Sequence, residues 1–172
     1  MNPGRNILFT GPPRCGKSTL IKKLVRRIRR PMVGFFTGEI RDGPRRVGFS
    51  ITTLKGQKGL LAHHDLKGRF RVGKYGVNLD DIEQIAVPAM IPTTPDQLVV
   101  IDEIGKMECF SGLFKQTLVK ILDSGHDVLG SIALRGGPFI QQIRQRPDVQ
   151  LIHVSEENRN SLVKLAQEVY ID

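Results

Sequence analysis

The sequence predicts an α/β protein: a three-layer α/β/α sandwich around a mostly parallel sheet, with a β-hairpin insertion over about 33–77. Three observations predict it. Strand-type apolar runs alternate with stretches of helical period, as in a chain built from βαβ units. Leu98-Val99-Val100-Ile101 is apolar without a break, which suits a strand buried on both faces of a parallel sheet. That run ends in Asp102-Glu103, and open α/β sheets bind ligands at the carboxyl ends of their strands.

A length of 172 residues fits one domain, 1–172, large enough to bury roughly 70% of its unfolded surface. No apolar run approaches the ~20 residues that a membrane span needs. Met1 to Arg5 leave no room for a signal peptide before the first strand, so a cytoplasmic location is expected. Cys15 and Cys109 lack C-x-x-C spacing and are too few for a disulfide framework. The net charge of +9 comes from 26 Lys and Arg against 17 Asp and Glu, and it favours polyanionic partners.

Residues 6–10 make the first strand. Gly11-Pro12-Pro13-Arg14-Cys15-Gly16-Lys17-Ser18 follows and reads G-x-x-x-x-G-K-[ST], a phosphate-binding loop. A helix covers 17–29 and is closed by Pro31. Leu20, Ile21, Leu24, Val25 and Ile28 form its buried stripe. The basic run Lys22 to Arg30 takes the solvated face and the carboxyl end, where cations suit the helix dipole. Val33–Thr37 and Arg46–Leu54 flank the turn Asp42-Gly43-Pro44 as a hairpin, with a further short strand at Gly56–Leu61. Residues 62–76 read as an exposed loop. Asn78 or Asp80 caps a short helix through Glu83 and Ile85. Pro88, Pro92 and Pro95 make 88–97 a connector to the strand Leu98–Glu103.

A helix follows at Phe110–Leu122, with Phe110, Leu113, Phe114, Leu118, Ile121 and Leu122 inward and a stop near Gly125. Asp127–Leu134 is a strand, Phe139–Arg146 a helix ended by Pro147, and Val149–Val154 the last strand. Ser155 caps a final helix to Val169, with Leu162, Leu165, Ala166 and Val169 inward.

Strand, glycine loop and helix together aim backbone N–H groups and a helix N-terminus at an anion. The candidate nucleotide-binding residues are Gly11, Pro12, Pro13, Arg14, Cys15, Gly16, Lys17, Ser18, Thr19 and Asp102. Gly11 and Gly16 allow a sharp turn and a close approach to phosphate oxygens. Lys17 supplies a point charge for the β- and γ-phosphates. The Ser18 hydroxyl suits Mg²⁺ held by those phosphates, and Asp102 suits the second metal-side carboxylate, acting through a water. Glu103, one residue on, can orient and deprotonate an attacking water. Cys15 is either a small loop residue or a thiol whose alkylation blocks binding.

Candidate catalytic residues are therefore Glu103, Lys17 and Arg135, the last a cation at the carboxyl end of its strand. Lys106, Arg41, Arg144 and Arg146 are secondary candidates for that charge. Thr37-Gly38-Glu39-Ile40-Arg41 either faces the nucleotide or opens the hairpin. His63 and His64 are sequence neighbours whose side chains should diverge, and no histidine is expected to bind metal.

These motifs resemble those of the small nucleoside-triphosphatases of thermophiles, a family with a vertebrate cancer-related member. The likeness covers the phosphate loop, Gly34–Arg41, Arg46–Phe49, Val72–Val77, Val100–Glu108 and Glu157-Asn158-Arg159. The string from Asp102 to Glu108 is its most specific part. The resemblance implies a RecA-like P-loop NTPase fold, with another strand between the phosphate-loop strand and the Asp102–Glu103 strand. It implies Mg²⁺-dependent hydrolysis of ATP, GTP and other nucleoside triphosphates to diphosphate and phosphate, with broad base tolerance. In that picture Lys17 and Ser18 hold phosphate and Mg²⁺, Asp102 supports the metal and Glu103 activates water.

Two positions depart from the family pattern. Arg14 stands where relatives usually carry Gly, so it is either strained or an added charge in the site. Residues 88–97 are shorter than the helix that relatives carry there. The alternatives are a nucleotide or small-molecule kinase and an ATP-dependent nucleic-acid-binding module. Nucleoside triphosphates are the expected partners. Nucleic acid is not, because no basic strand is rich in aromatics and only 6% of residues are aromatic. No membrane contact is expected, and the oligomeric state is open.

Overall fold

The computed structural model describes residues 4–170, the side chains of Leu165 and Gln167 excepted. The expectations for Met1, Asn2, Pro3 and Leu165 lie outside the described residues. The strands are β1 (Asn6–Thr10), β2 (Met32–Asp42), β3 (Arg45–Thr53), β4 (Lys58–His63), β5 (Arg71–Val72), β6 (Tyr75–Val77), β7 (Leu98–Ile104), β8 (Val128–Ile132) and β9 (Val149–His153). They form one sheet in the order β5-β6-β4-β3-β2-β7-β8-β1-β9. The strands β2-β7-β8-β1-β9 are parallel, and the rest of the sheet is antiparallel. β8 lies between β1 and β7, as the resemblance implies.

Two cores sandwich the sheet because alternate side chains of each buried strand point to opposite faces. Ile7, Phe9, Leu98 and Val100 pack with α1 (Lys17–Val25) and α6 (Arg159–Tyr170). Leu8, Val99 and Ile101 pack on the other face with α4 (Gly112–Leu122), α5 (Pro138–Arg144) and a helical stretch over 79–89.

The hairpin is less separate than expected. β2 is both its first strand and the edge of the parallel block: Met32–Phe36 pair in parallel with Leu98–Asp102, and Phe35–Asp42 pair antiparallel with β3. Gly34 makes the first pairing possible, since a Cβ there would lie 1.8 Å from the Val100 carbonyl oxygen. The expected loop over 62–76 also contains the end of β4 and the small hairpin β5-β6.

The helices differ in detail. α1 ends at Val25, although Ile28 still bonds back to Leu24 and stays buried. Asn78 caps the next helix, its side chain accepting from the Asp81 N–H. That helix does not stop before Pro88. α2 (Leu79–Asp81) runs through a π-helical turn, Ile82–Ala86, into α3 (Val87–Ala89), so Pro88 falls in a fresh first turn where its missing N–H is tolerated. α4 begins only at Gly112, after a 3₁₀ turn, and leaves Phe110 and Leu113 37% and 46% exposed rather than inward. Ser155 and Asn158 bond reciprocally, and α6 starts after them.

The His63 and His64 rings do not diverge. They stack at 4.6 Å, with Nδ1 atoms 3.6 and 3.0 Å from Asp65 carboxylate oxygens. Both cysteines are free. Among the described residues no helix is long and apolar enough to cross a membrane.

Candidate active site

The loop leaving β1 turns through left-handed backbone at Gly11 (φ +155°), Arg14 (φ +65°) and Gly16 (φ +103°). A Cβ on Gly11 would lie 2.6 Å from the Val154 carbonyl oxygen and 2.9 Å from Cys15 Sγ, so that position admits only glycine. Cys15 is buried beneath the loop, which fits the small-residue reading. Gly16 precedes α1 with no side-chain cap, and the first turn carries no acid, so its N–H groups and dipole face outward for an anion. Lys17 Nζ donates to the Gly11 and Pro12 carbonyls at 3.0 and 3.2 Å, which holds the ammonium over the loop. Arg14 is the one non-glycine residue with positive φ among those described, a conformation that costs roughly 1 kcal/mol or more. Arg14 also lines the cleft.

Asp102 is buried two strands from β1, with Ser131 of the intervening β8 donating to its Oδ1 at 2.5 Å. Its Oδ2 is buried with no hydrogen-bond partner among the described residues. Burial pushes the Asp102 carboxyl up, against the hydrogen bond from Ser131, the nearby Ser18 hydroxyl and the charges of Lys22 and Lys17. Ser18 and Asp102 therefore meet. The Asp102–Glu103 peptide is cis. Burial, then the charge of Asp102, raises Glu103, and Lys17 opposes them.

A cleft of about 500 Å³ lies over the loop. Its walls include Lys17, Ser18, Thr19 and Glu103, so the two halves of the predicted site face one space. Thr37, Gly38 and Glu39 line it as well, so that segment both opens the hairpin and faces the cleft. Arg135 is exposed beyond the end of β8 and does not line the cleft. Arg144 instead ties β1 to β8, donating to Thr10 Oγ1 at 2.7 Å and to the Ala133 carbonyl. Arg146 pairs with Asp148 and Asp123, and Arg41 with Glu39. Lys106 opens onto a different cavity.

Sequence reasoning missed three residues. Arg159, at the start of α6, lies across Gly16 and lines the cleft; the sequence marked it only as the end of the Glu157-Asn158-Arg159 string, with no role attached. Phe49 forms the far wall from β3. Glu108 is buried behind Glu103, its carboxyl pushed up to about 8 by burial and then by the charge of Glu103. A Cβ on Gly105 would lie 2.8 Å from Glu108 Oε2 and 3.2 Å from Glu103 Oε1, so glycine lets the two carboxyls share this turn. An isolated glutamate inside a recognised string was the signal for it.

The chain is similar to known proteins along nearly its whole length. A family model described as NTPase matches residues 6–167. The nucleoside-triphosphatase THEP1 of Thermotoga maritima is 46% identical over 158 residues, covering 91% of this chain and 90% of the relative. The human cancer-related nucleoside-triphosphatase is 42% identical over 176 residues, covering 92% and 93%. The crystal structure of THEP1 from Aquifex aeolicus superposes with a TM-score of 0.89 at 33% identity, over 97% of this chain and 99% of that one. With its phosphate loop and acidic strand end two strands apart in a RecA-like sheet, and relatives matched nearly end to end, the chain belongs to the THEP1 and cancer-related nucleoside-triphosphatase family of P-loop NTPases.

Proposed function

We propose that this chain hydrolyses nucleoside triphosphates to diphosphate and phosphate with Mg²⁺, with little selection of the base. The observation that carries the reading is the facing of Lys17, Ser18 and Glu103 across one cleft. The loop and α1 N–H groups, with Lys17, bind the β- and γ-phosphates. The buried Oδ2 of Asp102 has no partner among the described residues and Ser18 adjoins that carboxyl, so this pair fits a hard cation: Ser18 directly and Asp102 through a water. When bound, Mg²⁺ neutralises charge on the phosphate oxygens. Glu103 orients a water toward the γ-phosphorus and takes its proton. Arg135 was the expected extra cation; Arg159, which lines the cleft, is the better supported one.

Broad base tolerance is supported by the wall chemistry. Phe49 offers a ring face, which any base can stack on, and Glu39 is held in ion pairs with Arg46 and Arg41. A cytoplasmic location belongs to the same reading, with nucleoside triphosphates and not nucleic acid as partners. The test is phosphate release from ATP, GTP, CTP and UTP with Mg²⁺ and no acceptor. Steady release from all four is expected. Release only when a second metabolite is added would replace the hydrolase with a kinase.

A further inference from the structure

A second cavity is larger than the nucleotide cleft. It encloses about 670 Å³ between the β5-β6 hairpin, the 3₁₀ turn after β7 and the start of α5. That volume lies within the ~300–1,000 Å³ of small-molecule sites. Its walls are largely apolar, with Phe110, Phe139 and Ile140 among them, and its charged groups are Arg71, Lys106 and Lys115. Among the described residues no Asp or Glu lines it. Phe110 is left 37% exposed here, an aromatic ring open to the cavity from a turn held against Phe70 at 5.5 Å.

The cations are not equivalent. Arg71 spends its guanidinium on the Leu66 and Lys74 carbonyls at 2.8 and 2.6 Å, and so braces the small hairpin. Lys115 lies 5.8 Å from the Phe139 ring centroid. Lys106 is exposed on the turn that leaves β7, three residues beyond Glu103. These two lysines sit where charge and an aromatic surface meet.

We propose that this cavity is a second ligand site, for a small organic anion with an aromatic body, read by Lys106 and Lys115. A neutral ligand would leave the ammonium groups without a partner, and a compact inorganic anion would leave the apolar wall wet. The site lies at the carboxyl end of β7, whose Glu103 lines the nucleotide cleft, and it is bordered by Lys106, Cys109 and Phe110 of the turn that follows. Nothing in its lining overlaps the phosphate loop, so it fills independently of the nucleotide.

The experiment titrates the whole protein with 8-anilinonaphthalene-1-sulfonate and with its uncharged counterpart N-phenyl-1-naphthylamine. The anionic dye should bind saturably at one site per chain, and saturating Mg-ATP should not displace it. Lys106→Glu combined with Lys115→Glu should weaken the anionic dye at least tenfold and the neutral dye less than threefold. The Lys115→Gln single variant, a milder change, should weaken the anionic dye alone by about threefold, and thermal melts verify that each variant is folded. Several outcomes overturn the proposal: no saturable binding, equal loss of both dyes, or displacement of the dye by ATP. Displacement by a single-stranded oligonucleotide at lower concentration than by naphthalene-1-sulfonate would overturn it in favour of nucleic acid.

Discussion

β7 and the β2-β3 hairpin both border the nucleotide cleft, and they carry function in opposite ways. β7 is buried along nearly its whole length and delivers its chemistry where it ends, in the consecutive residues Asp102 and Glu103. β2 is half-buried or exposed from Phe36 onward and β3 mixes exposed, half-buried and buried positions, and their contribution is spread across register. Glu39 accepts from Arg46 and Arg41 at 2.9 Å each, and the Arg46 guanidinium lies 5.0 Å from the Phe49 ring centroid and 5.6 Å from that of Tyr75. A strand end builds a reactive group from neighbours in sequence. A hairpin face builds a wall from residues that meet only after pairing.

The largest effects should come from breaking the strand-end chemistry. Glu103→Gln should keep Mg-ATP binding and lower kcat by about 10²–10⁴-fold, the usual worth of a general base. Lys17→Ala should lower kcat by about 10²–10³-fold and weaken binding too, since it removes phosphate charge in both states. Equilibrium binding alongside steady-state kinetics checks both, and normal turnover in either variant would break the assignment. The wall should respond differently. Arg46→Ala frees Glu39, whose carboxyl Arg46 holds below its usual range, and leaves Phe49 without its covering cation. KM should rise ~3–10-fold with kcat within about twofold, the pattern of lost uniform binding. A fall in kcat alone would show that the wall takes part in the chemical step.

Glu108 sharpens the comparison through stability. Its carboxyl is raised from 4.5 to about 8 in the fold, so the folded chain keeps a proton that the unfolded chain loses. Stability should therefore fall by about 1.4 kcal/mol per pH unit between pH 5 and 8 on this account. Glu108→Gln does not titrate, so its advantage over the parent should grow across that window and level off above it. Urea melts at pH 5, 6.5 and 8 test this; a constant gap would mean that Glu108 is not buried as the neutral acid. The smallest effect belongs to Arg14→Gly. Relief of the left-handed conformation and the greater freedom of the unfolded chain oppose each other, so stability should shift by less than about 1 kcal/mol. KM for ATP should rise a few-fold as the charge leaves the cleft, and an unchanged KM would assign Arg14 to solvent.

The comparison also explains what the sequence made legible. Gly11–Ser18 and Leu98–Glu103 announce themselves because strand, loop and reactive side chain are contiguous. β2 misled, since Val33-Gly34-Phe35-Phe36 reads the same whether it opens a hairpin or closes a parallel block; only the clearance at Gly34 against Val100 decides it. Pro88 misled because proline normally ends a helix, and a π-helical turn before it restarts the count. Arg159 and Phe49 join the site from α6 and β3, so no window of sequence contains them together with the loop. His63 and His64 stack instead of diverging because Asp65 lies within reach of both Nδ1 atoms.

The position of β1 has a consequence for how the chain is made. β1 pairs with β8 on one side and β9 on the other: Asn6 meets both Val128 and Val149. During synthesis the phosphate loop therefore leaves the ribosome before β8 and β9, and gains its frame only once they follow. Until β9 emerges, the Gly11 turn lacks the Val154 backbone that packs against it, and Arg159 is not yet present to cross Gly16. Nascent chains halted before about residue 150 should have no nucleotide pocket, however much of the hairpin half has already paired.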